Sequence, residues 1–332
     1  MVFLNGEENR TLLSKEERRN NLNEPRITED PSQHATNPNF SEGMGDDKLT
    51  PLDRLLKIEP KILSRASASA PLSQPYETFP FWREDERGIP NHFSRASLFS
   101  PIARQSRRLL AEKLLESRKD VKIMYTGFQL DEADCDVWMQ IIHLARHAPT
   151  DTTIAFKRAE FLRGIGRSKS QAAYNWLLSV LKRLTTATLS IETNKFSIGI
   201  RPSSSALHLI NSFHVDLITG DCRVNLDRRV VILFTNKEYT RLDWQKRLKI
   251  EKNKNMAKFL QRLICTSSDQ TQRYSLDRLR ALTQYTGQTS KFRSTISLAL
   301  SELKRVQIVG QYHFEIGHND IEYAVWTRWR YR

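Results

Sequence analysis

The chain has 332 residues, 39% of them hydrophobic, with a formal net charge of +14 and a pI near 9.8. That length exceeds one ordinary domain of roughly 100–200 residues, and the positive surplus points to a polyanionic partner, because each Lys or Arg near a phosphate releases condensed counterions. No apolar run reaches the length that crosses a bilayer, and Glu7, Glu8 and Asn9 stand where a secretory signal needs apolar residues, so a cytoplasmic protein is expected. Cys135, Cys222 and Cys265 are far apart with no C-x-x-C pair, which argues for buried thiols rather than a disulfide framework or zinc site.

From Met1 to about Ser100 the chain is polar and broken by nine prolines from Pro25 to Pro90, so residues 1–100 are expected to be mostly disordered. Two parts differ: Leu52 to Leu63 reads as a short helix, and Phe79-Pro80-Phe81-Trp82 is an aromatic cluster. Either could pack on the body or dock a partner. Ile102 to Ser117 carries Arg104, Arg107, Arg108 and Lys113 around Leu109, Leu110, Leu114 and Leu115, and reads as a basic amphipathic helix. Val121 to Tyr125 alternates like a strand. Asp131 to Arg146 reads as a helix with an acidic first turn, which suits its dipole, and an apolar stripe through Cys135, Trp138, Ile141, Ile142 and Ala145. A short strand at Thr153 to Phe156 follows. Ala206 to Phe234 reads as strands, including Val230 to Phe234, with a turn at Thr219-Gly220-Asp221.

One pattern occurs twice at identical spacing. Ser168-Lys169 leads through Ala173, Leu177 and Val180 to Leu181-Lys182-Arg183; Ser290-Lys291 leads through Phe292, Ile296 and Ala299 to Leu303-Lys304-Arg305. Each is an amphipathic helix with a Ser placed to cap its first turn. Each follows a shorter helix, across Gly164-Ile165-Gly166 or Thr286-Gly287-Gln288, and precedes β-prone residues that read as a hairpin: Ala187 to Glu192 with Phe196 to Ile200, and Val306 to Val309 with Tyr312 to Ile316 and Ile321 to Trp326. Helix, turn, helix, hairpin is the order of a winged helix. The expected fold is therefore α+β, with two tandem winged-helix domains over residues 101–234 and 235–332.

The faces turned from each expected core favour DNA. On the first long helix they carry Ser168, Gln171, Asn175, Ser179 and Lys182, with Lys169 at its start; Gln and Asn match the N6 and N7 edge of adenine, and Lys182 suits phosphate. On the second they carry Ser290, Arg293, Ser294, Ser297 and Ser301, with Lys291 beside them. Short hydroxyl side chains permit close approach, and Arg293 has the planar fork for guanine O6 and N7. Neither face carries Asp or Glu where it would meet a duplex. Lys195, at the expected first wing, could lie over a phosphate; the second tip, Gly317 to Asp320, reads as an ordinary turn.

Catalytic signatures are missing. No G-x-x-x-x-G-K-[ST] loop occurs, so nucleotide hydrolysis is not expected. His143 and His147 have metalloprotease spacing, but Leu144 stands where the general-base Glu is required. A non-enzymatic protein without cofactor or metal is expected.

Val121 to Leu130, the acidic stretch through Asp136, Val137 and Trp138, the helix ending at Ala145-Arg146, Ile154-Ala155-Phe156, Leu178 to Ala187 and Tyr239-Thr240 together resemble the TrfA family of plasmid replication initiators. The likeness runs from about Ser94 to the C-terminus and is weaker in the second half. It implies an initiator that binds iterons, direct repeats at the origin, as a monomer, helps melt an adjacent A·T-rich element, and recruits host DnaA and the replicative helicase. Dimers would be inactive at the origin and limit copy number. It also implies a Gln-Leu-Ser-Leu-Phe type motif for the host sliding clamp; Arg95-Ala96-Ser97-Leu98-Phe99 keeps Ser-Leu-Phe but lacks the first two positions, which puts clamp docking in doubt. A transcriptional repressor using the same domains on an operator is the competing reading, and a DNA-processing enzyme a third.

Overall fold

The computed structural model describes residues 78–147, 153–199 and 206–329, all within a compact unit that spans Ser69–Arg332. The expected helix at Leu52 to Leu63 and the expected disorder of residues 1–77 lie outside the described residues.

Order begins well before residue 100. Phe79 and Trp82 are buried, Trp82 stacks on Phe234 with ring centroids 5.9 Å apart, and its Nε1 donates to His143 Nδ1 at 3.1 Å. Phe79 and Trp82 thus pack on the body, while Phe81 stays exposed. Strand β1 (Glu86–Pro90) then pairs antiparallel with β12 (Tyr239–Asp243), followed by the short helix α1 (Asn91–Ser94) and β2 (Phe99–Ser100). Burial of these large rings supplies the apolar area that the proline-rich composition concealed.

The expected helix over Ile102 to Ser117 is a strand. Beyond a single 3-10 turn at Arg104–Ser106, β3 (Leu109–Leu114) pairs antiparallel with β4 (Val121–Phe128). The register shifts between Leu110 and Lys113, where Glu112 takes a φ of 45°. A bulge of this kind breaks the period-two alternation by which a strand is recognised. Strand β4 keeps that alternation: Val121, Ile123 and Tyr125 face inward, Lys122 and Met124 outward. After β5 (Leu130–Asp131) comes helix α2 (Glu132–Ala145), whose N-cap Asp131 accepts from the amides of Ala133 and Asp134 while Asp134 returns a bond to the Asp131 amide, a complete capping box.

The two winged helices then share one topology. In module one, α2 is followed by β6 (Ile154–Lys157), α3 (Arg158–Gly164), α4 (Gln171–Thr186) and the hairpin β10 (Ser212–Val215) with β11 (Asp221–Asn225); the sheet order is β10-β11-β6. In module two, α6 (Asn255–Cys265) is followed by β13 (Thr271–Ser275), α7 (Leu276–Thr283), α8 (Thr289–Arg305), β14 (Val309–Ile316) and β15 (Glu322–Arg328), with order β13-β15-β14. In both, the strand before the helix pair bonds to the second strand of the hairpin. The wing of module one is therefore β10–β11, and the hairpin expected at Ala187 to Ile200 is a different element. Strands β7 (Thr188–Thr193), β8 (Ser197–Ile198) and β9 (Leu207–His208) are inserted between α4 and the wing and join β3 and β4 in a five-stranded sheet.

Two further expectations change. Val230 to Phe234 is not a strand but lies in 3-10 turns over Arg228–Lys237, begun by Asp227 accepting from the Arg229 amide at 2.9 Å. A short unbroken apolar run fits a buried helical turn as well as a strand. The helix caps also differ: Ser170, not Ser168, caps α4, and Gln288 precedes α8 with no side-chain cap.

The hydrophobic cores divide between Trp244 and Ile250: one gathers Phe79 to Trp244, the other Ile250 to Trp326. Between them lies a buried ion network. Arg247, on α5 (Trp244–Lys249), donates to Asp136 Oδ1 at 2.5 Å and Glu132 Oε2 at 2.8 Å; Arg262, on α6, donates to Glu132 Oε1 at 2.5 Å and to the Phe99 carbonyl at 2.7 Å; Lys258 reaches Asp136 Oδ2 at 2.6 Å. The acidic turn expected to serve a helix dipole thus also receives three cations from the second module. Burial pushes the Asp136 carboxyl up, but Arg247 and Lys258 together hold it below the usual carboxylate range.

Candidate DNA interface

Each helix-turn-helix is set by local backbone chemistry. In module one, Gly166 has φ +69°, a conformation that side chains with a Cβ resist, and lets the chain bend from α3 into the approach to α4. Ser170 Oγ accepts from the Ala173 amide at 3.2 Å. The bend is backed by α5, for Trp244 Nε1 donates to the Gly164 carbonyl at 2.8 Å and Leu248 sits over Gly166. Helix α4 buries Ala173, Leu177, Val180, Leu181 and Leu184. In module two, Gln284 takes φ 53° at the end of α7, and its side chain crosses to the first module, donating to the Ser97 carbonyl at 2.9 Å. Helix α8 buries Phe292, Ile296, Ala299, Leu300 and Leu303.

Most side chains expected to face DNA do reach solvent, but several are already engaged. Ser168, Lys169, Gln171, Asn175 and Lys182 are exposed. Gln171 Nε2 donates to Asn175 Oδ1 at 3.0 Å, so these two amides form one polar unit on the helix face. Ser179 is half-buried and gives its hydroxyl proton to the Trp176 carbonyl at 2.7 Å. On α8, Ser290, Lys291, Arg293 and Ser294 are exposed. Arg293 lies over the Phe314 ring at 4.3 Å and donates to Glu322 Oε1 at 2.5 Å, a half-exposed pair that holds the guanidinium beside the wing. Ser297 and Ser301 meet the Tyr312 hydroxyl at 3.4 and 2.5 Å. Those hydroxyls knit helix to wing.

A hollow opens beside each turn. A cleft of 480 Å³ is lined by Gly166, Arg167 and Ser168 of the first turn and by Lys252, Asn253 and Asn255 at the start of α6. A second hollow of 490 Å³ is lined by Arg108, by Met256 of the same helix start, and by Tyr285, Thr286 and Gly287 before α8. The segment of residues 101–108 borders both. Residues 101–108 and the start of α6 therefore border the turn of each module and carry Arg108 and Lys252, with Arg167 in the first turn and with Asp131 and Asp136 also lining the first cleft.

Other candidates fall elsewhere. Lys195 belongs to the inserted sheet and bonds Glu238 Oε1 at 3.1 Å, away from the wing of module one. Ser97, Leu98 and Phe99 are buried; Phe99 pairs with Leu130, and Ser97 gives its carbonyl to Ser100 and Gln284. The clamp-like string is core in this fold. His143 accepts from Trp82 and approaches Glu84, while His147 is exposed. The wing tip of module one and the ion network between the modules were missed in the sequence, since nothing local distinguishes a wing that follows an insertion, or a Glu whose partner lies over a hundred residues away.

These modules define the class: an α+β protein of two tandem winged helices, each presenting an exposed, acid-poor helix. The model of the family described as "TrfA protein" matches residues 74–316, and the chain belongs to that family. Over 172 residues it is 30% identical to the Plasmid replication initiator protein TrfA of Escherichia coli; the match covers 51% of this chain and 44% of that relative, less than half its length. Among solved structures, domains 2-3 of RctB (residues 155–483) are similar at TM-score 0.44 and 12% identity, covering 72% of this chain and 96% of that one. A second RctB structure of the same domains gives 0.41 and 10%, covering 77% and 95%. No helix among the described residues is long and apolar enough to cross a membrane.

Proposed function

We propose that the protein is a plasmid replication initiator that binds direct repeats at the origin, with α4 and α8 entering successive major grooves on one face of the duplex. The observation that carries this is the pair of topologically identical modules whose turns are both bordered by residues 101–108 and the start of α6, with Arg108, Arg167 and Lys252 beside them. Asn175 with Gln171 on α4, and Arg293 on α8, supply base contact; Ser168, Lys169, Lys182, Ser290, Lys291 and Ser294 serve backbone contact or close approach. Binding energy, without nucleotide hydrolysis, offsets distortion of a nearby A·T-rich element. Host DnaA, the replicative helicase and a second copy of the chain are the partners this reading entails, in the cytoplasm; the sliding clamp is not among them, because Leu98 and Phe99 are internal.

Footprinting the purified full-length protein on the DNA flanking its gene tests this. Protected direct repeats at helical-turn spacing, bound by monomers, are expected. Protection of a two-fold operator by a dimer would make it a repressor, and strand cleavage of a supercoiled origin would make it an enzyme.

A further inference from the structure

Both wings end in aliphatic side chains that project into solvent. At the β10–β11 turn Leu217 and Ile218 are 66% and 96% exposed; beside the β14–β15 turn Ile316 and Ile321 are 74% and 36% exposed. A single exposed aliphatic residue is commonplace. Two adjacent ones at the tip of one hairpin are not.

The first tip is stiff. Asp216 Oδ1 accepts from the amides of Ile218 and Thr219 at 2.8 and 2.9 Å, the Gly220 amide donates to the Asp216 carbonyl at 3.0 Å, and Arg158 Nη2 donates to the Leu217 carbonyl at 3.1 Å. Its two acids are occupied: Asp216 by those amides, Asp221 by Lys157 at 2.7 Å and by the Thr219 hydroxyl at 2.8 Å. Arg158 and Arg223 flank the turn.

We infer that Ile218, with Leu217 beside it, is a wedge that enters the minor groove and partly unstacks a base step while α4 occupies the adjoining major groove. This rests on the DNA-binding reading above. Leu and Ile inserted between base pairs kink a duplex toward its major groove, and a wedge works only if its backbone does not yield, which the Asp216 turn provides. A protein partner fits the tip less well, since two side chains are far below the roughly 1,000 Å² that a specific interface buries. The wing also belongs to the same module as the exposed face of α4.

The test uses the full-length protein on the duplex it protects in the footprint, with 2-aminopurine placed at successive steps. Wild type should raise fluorescence at one step beside the α4 contacts. Ile218→Ser should keep the footprint and lose that rise; Ile218→Phe, still apolar, should keep both. A footprint with no rise in wild type, an equal rise with Ile218→Ser, or loss of the rise in both variants would overturn the wedge alone. If Ile218→Ser changes only self-association in sedimentation, the tip is a protein contact and the wedge is wrong. Absence of any wild-type footprint would overturn the DNA-binding reading itself, and the wedge with it.

Discussion

Glu132 of the first module and Arg262 of the second meet at 2.5 Å with both side chains fully shielded from water. Arg247 bonds the second oxygen of the same carboxylate, so one glutamate holds two guanidinium groups from different helices of the second module. Removing one member strands charge in a region that cannot hydrate it. Glu132→Gln is expected to cost about 3–5 kcal/mol of stability, read as a lower urea midpoint in the unfolding of the full-length protein. An unchanged midpoint would show that water reaches this junction.

Two buried histidines set a pH dependence. Burial, despite Glu238 nearby, pushes His92 down to about 4; burial, then Arg87 and Arg146, pushes His143 down to about 4. Both folded values lie below the ordinary 6.5, so the unfolded chain takes up protons first as pH falls. Stability is fully present above about 6.5 and is lost as pH falls toward about 4. His92, whose ring nitrogens have no hydrogen-bond partner among the described residues, is the cleaner probe. His92→Phe should flatten part of the slope in urea midpoints measured across that window; a slope as steep as wild type would contradict the assignment.

Phe99→Ala is expected to cost about 3–5 kcal/mol, because it empties a core position between Phe93 and Trp138. A variant as stable as wild type that had lost binding to a partner protein would show instead that this string is a docking motif.

Asn175→Ala or Arg293→Ala is each expected to weaken binding by about 1–3 kcal/mol and relax preference at one base position. For Arg293 the loss sits at the low end, since DNA must first draw the guanidinium from Glu322. Lys182→Ala should weaken binding alike on every sequence and lower the salt slope by about 1. Binding selections on randomised repeats separate these cases: unchanged preferences for both Asn175→Ala and Arg293→Ala would remove the helix assignment, and a sequence-selective loss for Lys182→Ala would remove its phosphate role.

The helices were the legible part of the molecule. The acidic first turn and apolar stripe mark α2, and the apolar period marks α4 and α8 within a few residues of their observed ends. What escaped depends on pairing at a distance. The bulge at Glu112 erased the alternation of β3; the true wing of module one is separated from α4 by three inserted strands, so the nearest β-prone stretch was mistaken for it. At the candidate interface, residue types that suit DNA were visible along the sequence, whereas the ties of Arg293 to Glu322 and of Ser301 to Tyr312 exist only once helix and wing fold together.

The bond from Gln284 Nε2, at the end of α7, to the Ser97 carbonyl ties the elbow before one proposed reading helix to the half of the molecule that carries the other. Two probes braced in this way cannot rock independently, so together they behave like the jaws of a fixed caliper. On a long polymer such a tool gauges separation more severely than it judges the identity of any one base: a pair inserted between two contacted stretches would displace every contact in one of them, whereas a single altered letter removes one.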